Sequence, residues 1–380
     1  MTVPLTVGVN LLWLVPGVVG GSEEYTLRLL RALDDGDHGD LRLRVYGTEA
    51  LLAAHPDLAE RFPVVTAPRA LGRAGRVAVE HSWLAAASRH DDLVHHAGGV
   101  VPAVRLRPAV LTIHDLQPLD LPDNFSTVKR RWLGSMLPRS ARAARLVITP
   151  SRFSADRVHD RLGVDRNRLR VVAHGHNPDG GAVPVDPATE ARIDGYGRFV
   201  LYPAISYPHK RHIDLIEMLD RLGDRHPELH LVLTGRPGPE HDRLRSRASD
   251  LGLTDRVHLT GRVPEAELDR LYRRAAAVAF PSSYEGFGNP LLEAMARDTP
   301  VVTSGAGSLP EVAGGAAIIT PVGDPDALAD AVGRVLDEPG LADRMRRAGR
   351  RRAGEFGWDG AGRQLAGVYR DAAALRPGEE

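Results

Sequence analysis

Short apolar runs alternate with longer stretches of mixed polarity along nearly the whole chain. In the first half the runs fall at 5–9, 41–46, 93–95, 109–113, 146–149 and 169–172, and in the second at 199–202, 229–234, 257–260, 278–280 and 301–303. Brief apolar runs bounded by Gly, Pro, Asn or Asp read as strands. The stretches between them space their apolar residues for one helix face, as Tyr25, Leu29, Ala32 and Leu33 do after the first run. Strands alternating with helices predict parallel sheets with crossover helices. Residues 174–197 break the pattern: they are rich in Gly, Pro and Asp and sustain no period. The chain is therefore predicted to be α/β, with two doubly wound, Rossmann-like domains at 1–178 and 199–356, a linker at 179–198 and a terminal segment at 357–380. In that segment Trp358 and Tyr369 lie on a helical pattern.

Composition narrows this picture. A chain of 380 residues exceeds one ordinary core, and 43% hydrophobic residues suffice for two. A formal net charge of zero excludes the global basic field of a nucleic-acid binder. The absence of cysteine excludes disulfides and Cys metal sites and favours a reducing, cytoplasmic setting. No Lys or Arg precedes the apolar start at 7–19, and Pro16 and Gly17 interrupt it, so it reads as a strand and its loop, not a signal peptide. No run approaches the roughly 20 apolar residues of a membrane span.

Candidate chemistry concentrates at 280–295. Phe280-Pro281 ends a buried run, and Asn289-Pro290 pairs an N-cap residue with a favoured first helical residue, placing a helix start near Pro290. Glu285 then lies on the loop before the helix and Glu293 about one turn inside it. Gly286 and Gly288 permit close backbone approach, and the amides of Gly288, Asn289 and Leu291 belong to a helix end that favours anions. Acceptors for sugar hydroxyls and donors for phosphate meet in one segment. Read alone, either carboxylate is equally a dipole-favoured or solvated acid.

The two glutamates, seven residues apart around Gly-Phe-Gly, resemble the E-x7-E motif of retaining glycosyltransferases of family 4, which have the GT-B fold: two Rossmann-like domains with an interdomain cleft. The resemblance continues through 268–276, Thr299-Pro300-Val301-Val302-Thr303, Ser308-Leu309-Pro310-Glu311-Val312 and Pro321-Val322-Gly323-Asp324-Pro325, covering nearly the whole second half and the first half more loosely. It implies that Glu293 holds the donor ribose, Glu285 orients the donor sugar, Gly286, Phe287, Gly288 and Asn289 supply contacts, and Gly261-Arg262-Val263 borders the base. It implies further that the first domain binds the acceptor and that 357–380 crosses back to that domain.

Three other places match the family. Pro16-Gly17-Val18-Val19-Gly20-Gly21 joins a strand to a helix that Ser22 can cap; in the family, glycines at the places of Gly20 and Gly21 lie beside the donor phosphates. The spacing is not G-x-G-x-x-G, which weakens a dehydrogenase reading. His114 ends an apolar run, and by resemblance meets the transferred sugar. Pro208-His209-Lys210-Arg211 resembles the basic loop Pro-Arg-Lys-Asn. Lys210 takes the lysine place, while His209 stands where the family has arginine, so Arg211 or a charged His209 is left to substitute. Lys129 and Lys210 are the only lysines among 49 basic residues, an indication that a compact charge is needed at the second.

The resemblance thus implies transfer of a sugar from a nucleotide diphosphate sugar to a polysaccharide, lipid-linked or small-molecule acceptor, with retention. His114, Lys210 and Glu285 would be catalytic, and no cofactor or metal would be used. A sugar-nucleotide 2-epimerase and a non-catalytic nucleotide-sugar-binding protein are the alternatives. Asp35-Gly36-Asp37 imitates a metal-binding D-x-D but lies in a polar turn, and His95-His96 lacks a spaced third ligand. The run 344–352 reads as a solvated helix face. Residues 1–178 carry 23 Lys and Arg against 18 Asp and Glu, a net +5, and the remainder 26 against 31, a net −5. Lys129, Arg130, Arg131, Arg139, Arg142 and Arg145, interleaved with Trp132, Leu133, Met136 and Leu137, read either as a soluble helix or as a weak contact with anionic lipid. Oligomeric state is not readable.

Overall fold

The computed structural model describes residues 3–18, 20–36, 38–69, 72–176 and 184–375. The chain forms two units, one of Met1–Gly175 with Trp358–Glu380 and one of His176–Gly357.

The first unit holds a seven-stranded parallel sheet of β1 (Leu5–Asn10), β2 (Leu41–Gly47), β3 (Val64–Thr66), β4 (Leu93–His96), β5 (Ala109–Thr112), β6 (Leu146–Thr149) and β7 (Leu169–Val171). Its order is β3-β2-β1-β4-β5-β6-β7. The central strands are apolar because helices cover both faces: Val7, Val9, Val110 and Ile148 are fully buried. Helix Gly21–Asp35 turns Tyr25, Leu29, Ala32 and Leu33 inward, and helix Trp358–Ala374 joins the same core through Leu365, Ala366 and Tyr369. Each fully buried side chain of this size is worth about 1.5–3 kcal/mol. Gly362 allows the helices to touch, since a Cβ there would stand 2.8 Å from the Ala32 carbonyl oxygen. Tyr369 also bonds His95 Nδ1 at 2.8 Å.

The second unit holds β8 (Arg198–Pro203), β9 (Leu229–Thr234), β10 (Val257–Gly261), β11 (Ala277–Phe280), β12 (Val301–Ser304) and β13 (Ile318–Thr320) in the order β10-β9-β8-β11-β12-β13, all parallel. The order reverses beside β8 in this sheet and beside β1 in the other, and the crevice beyond the strand ends at such a switch point is where ligands bind in open α/β sheets. Both units are Rossmann-like, as the alternating pattern predicts.

Three local expectations need correction. The short edge strands β3 and β13 are absent from the sequence reading. The segment 179–198 is not a plain linker: the second unit begins at His176, and helix Pro187–Gly195 lies within the segment, capped by Asp186, whose side chain accepts from the Ala188 and Thr189 amides. Glu190 and Arg192 of this helix pair with Arg270 and Glu267. Ser22 does not cap helix Gly21–Asp35; Gly20 takes that position with φ 74°, and Ser22 lies inside the helix. No helix among the described residues is long and apolar enough to cross a membrane.

Candidate active site

The loops that leave β8 and β11 are joined to each other. Tyr202, near the end of β8, donates its hydroxyl to the Lys210 carbonyl at 3.1 Å and lies 2.9 Å from Ser282 Oγ. Ser283 donates its amide to the His209 carbonyl at 2.8 Å. The 3-10 turn Pro208–Lys210 thereby aims Lys210 across the switch point, and Lys210 Nζ meets Glu285 Oε1 at 2.6 Å with the two side chains only 19% and 11% exposed. Removal from water strengthens such a pair and raises the cost of leaving either member alone.

The Glu285 loop is shaped from the following crossover. Ser308 donates its amide to the Glu285 carbonyl at 3.2 Å, and its hydroxyl reaches the Glu285 and Phe287 carbonyls at 3.1 and 2.8 Å. Gly307, with φ 60°, admits the loop: a Cβ would stand 2.5 Å from the Glu285 carbonyl oxygen. Phe287 is buried edge-on to Phe356. Helix Asn289–Ala296 starts one residue earlier than expected, with Gly288 at its N-cap in the left-handed region, φ 93°. Asn289 is therefore not the cap. Its Nδ2 donates to Glu293 Oε1 at 2.6 Å, while the Tyr272 hydroxyl donates to Glu293 Oε2 at 2.8 Å. The Leu291 amide, expected at the ligand, donates instead to the Gly288 carbonyl at 3.0 Å.

The other basic residues of the Lys210 loop are differently placed. His209 is buried, and desolvation together with the Lys210 charge holds it down at about 4, so it is neutral near pH 7. Arg211, with φ 53°, gives both arms to Asp214 at 2.6 and 3.0 Å. Val263 lies just past β10 and, with Arg262, Thr260 and Glu267, lines a polar cavity of about 520 Å3 at the β10 edge of the sheet.

In the first unit, Gly20 is required by its positive φ, whereas a Cβ on Gly21 would meet open space. Glu23 Oε2 accepts from the Gly17 amide at 2.9 Å and ties the glycine loop to the first helical turn. His114 follows β5 and donates from Nε2 to the Ala97 carbonyl at 3.0 Å. Its buried Nδ1 has no hydrogen-bond partner among the described residues, and burial holds the ring at about 4, so Nδ1 presents a lone pair. Asp35 pairs with Arg61 at 2.6 Å, and Asp37 lies outside the described residues. Among the described residues no three His, Asp or Glu side chains converge as a metal site.

The family model described as "Glycosyltransferase Family 4" matches residues 19–179, and that described as "Glycosyl transferases group 1" matches 189–352. Glycogen synthase of Mycobacterium tuberculosis is 30% identical over 306 residues, 78% of this chain and 71% of that protein. The chain belongs to the group 1, family 4 glycosyltransferases. MMP alpha-(1->4)-mannosyltransferase of Mycolicibacterium hassiacum is 35% identical over 64% of this chain, and the match spans 59% of that protein. O-antigen chain mannosyltransferase B of Escherichia coli is 27% identical over 74% of this chain and 75% of its own length. The fold is GT-B, shared with Anabaena HepE solved in complex with UDP and glucose, at TM-score 0.75 and 22% identity over 97% of this chain and 100% of that one.

The residues that sequence reasoning missed are supports: Tyr202 for the Lys210 loop, and Tyr272, Gly307 and Ser308 for the glutamates. Tyr272 and Ser308 lie in segments that carry the resemblance, but nothing local to either marks it as a partner of Glu293 or of the Glu285 loop.

Proposed function

We propose that this chain transfers a hexosyl group from a nucleoside diphosphate sugar held by the second unit to a hydroxyl of an acceptor held by the first, with retention at the anomeric carbon. The observation that carries the proposal is the Lys210–Glu285 pair at the switch point, beside a Glu293 fixed at both carboxylate oxygens. An arriving donor offers each member of the pair a new partner: diphosphate oxygens for the ammonium, sugar hydroxyls for the carboxylate. Glu293 takes the ribose hydroxyls. As the C1–O bond to the diphosphate breaks, Lys210 balances the growing negative charge, the change to which a preorganised cation responds most. The acceptor oxygen bonds to C1 on the same face, and its proton passes to the leaving diphosphate. No protein nucleophile or divalent cation enters these steps.

Mannosyltransferases among the relatives put GDP-mannose first in a donor panel that also holds UDP-glucose and UDP-galactose. Glycoside formation in EDTA, with an α-anomer from an α-linked donor by NMR, is expected. An inverted product, rescue by Mg²⁺ or Mn²⁺ only, or interconversion of nucleotide sugars without transfer would each replace this reading. Peripheral contact of the cytoplasmic protein with anionic lipid through helix Thr127–Ala143 belongs to the same proposal, and salt-releasable sedimentation with anionic but not neutral vesicles tests it.

A further inference from the structure

A cavity of about 410 Å3 lies within the first unit, past the ends of β1 and β2. Its floor is apolar: Leu12 and Leu14 are 2% and 1% exposed, and Ala67 is buried beside them. One wall is a single helix face, because Gly72, Arg76 and Val79 recur at the spacing that aligns side chains along helix Gly72–Ala87. Arg69 reaches the same cavity from the loop before that helix.

Neither Arg69 nor Arg76 has a carboxylate partner among the described residues. Elsewhere in this unit Arg31, Arg44, Arg61, Arg157 and Arg370 are each held by an aspartate. Glu49 is the one acidic residue among those lining the cavity, and it is exposed at the rim. Glu80, one turn beyond Arg76, feels its charge, but its Oε1 accepts from Asn10 Nδ2 at 2.6 Å and it forms no ion pair with Arg76 among the described residues. Burial pushes its carboxyl up to about 7 against the opposing pull of Asn10 and Arg76. Two guanidinium groups thus line a cavity with an apolar floor, neither in an ion pair among the described residues.

We propose that this cavity receives the acceptor and that the acceptor is an anionic amphiphile, with a phosphate or carboxylate on Arg69 and Arg76 and an apolar body against Leu12, Leu14 and Val79. The inference rests on the assignment of acceptor binding to the first unit. A neutral glycan would set hydroxyls against the apolar side chains of the floor and leave the charge of both guanidinium groups unbalanced. A small hydrated anion would make no use of the floor.

Calorimetric titration of the full chain with octyl phosphate, inorganic phosphate and octyl β-glucoside tests the class directly. Octyl phosphate is expected to bind at least about tenfold more tightly than either of the others, and Arg69→Gln and Arg76→Gln should each weaken it by about tenfold, as loss of a charge-assisted contact does. UDP and GDP binding, which belongs to the second unit, should be unchanged in both variants and reports that they are folded. Equal binding of inorganic phosphate would overturn the apolar half of the proposal, and equal binding of octyl β-glucoside the anionic half. Octyl phosphate binding that both glutamine variants leave intact would overturn the site. If octyl phosphate binds through the arginines while no donor in the panel supports transfer, the functional reading fails and this cavity's ligand class stands.

Discussion

Glu293 and Glu285 are both acidic and close in sequence, yet their surroundings differ. Glu293 is oriented by Tyr272 and Asn289, as a group that binds ground and transition states alike would be, whereas Glu285 shares its charge with Lys210. Glu293→Ala should therefore raise the KM for donor with a smaller change in kcat, and Glu285→Ala should mainly lower kcat. Tyr272→Phe, which removes one of the two donors to Glu293, should raise donor KM by about tenfold or less, on the scale of one hydrogen bond to a charged group. Steady-state kinetics on the three variants check this, and wild-type constants in all of them would contradict the assignment. The glutamates and Lys210 could be singled out from the sequence because each sits in a contiguous motif. Tyr272 and Ser308 were not, because their partners are 21 and 23 residues away and only the fold brings them together. His209 shows the opposite error: its charge depends on burial, which the local sequence does not report.

At the level of elements, the long amphipathic helices and buried strands were readable from periodicity, whereas β3 and β13 were missed although β7, equally short and also at a sheet edge, was read. Helix Pro187–Gly195 buries only Ile193 and so has no apolar stripe, although Asp186-Pro187 was a start signal in plain view. The crossover after β12 bears most directly on the site, because Gly307 and Gly288 answer different needs. At Gly288 an added Cβ would press only the tip of Leu309, at 2.6 Å, so Gly288→Ala should cost the left-handed backbone penalty of about 1–2 kcal/mol. At Gly307 the Cβ would strike backbone of the Glu285 loop. Gly307→Ala is accordingly expected to lower kcat/KM at least about tenfold more than Gly288→Ala, since on the proposed mechanism a displaced Glu285 carboxylate costs more than a displaced Leu309 side chain. Equal kinetics in the two variants would show that the Glu285 loop is not positioned from this crossover.

For the whole molecule, buried neutral histidines give stability a definite pH dependence. Burial holds His95, His96 and His174 at about 3 and His114 at about 4, below the ordinary 6.5. The unfolded chain therefore takes up protons below about pH 6.5 that the folded chain refuses until about pH 4, and stability falls with pH across that window. A clear drop in Tm from pH 7.5 to pH 5, before most carboxylates titrate, is the expected result; a flat profile would mean that these imidazoles are solvated. The central claim is that one lysine at the second unit's switch point balances the departing diphosphate, and turnover by Lys210→Ala, Lys210→Arg and Arg211→Ala, with donor affinity and Tm measured alongside, tests it most directly. Lys210→Ala should lose at least about a hundredfold in kcat, Lys210→Arg should recover part of it, and Arg211→Ala should cost little because that guanidinium is committed to Asp214. A folded Lys210→Ala protein with wild-type turnover, beside an inactive Arg211→Ala, would contradict the account.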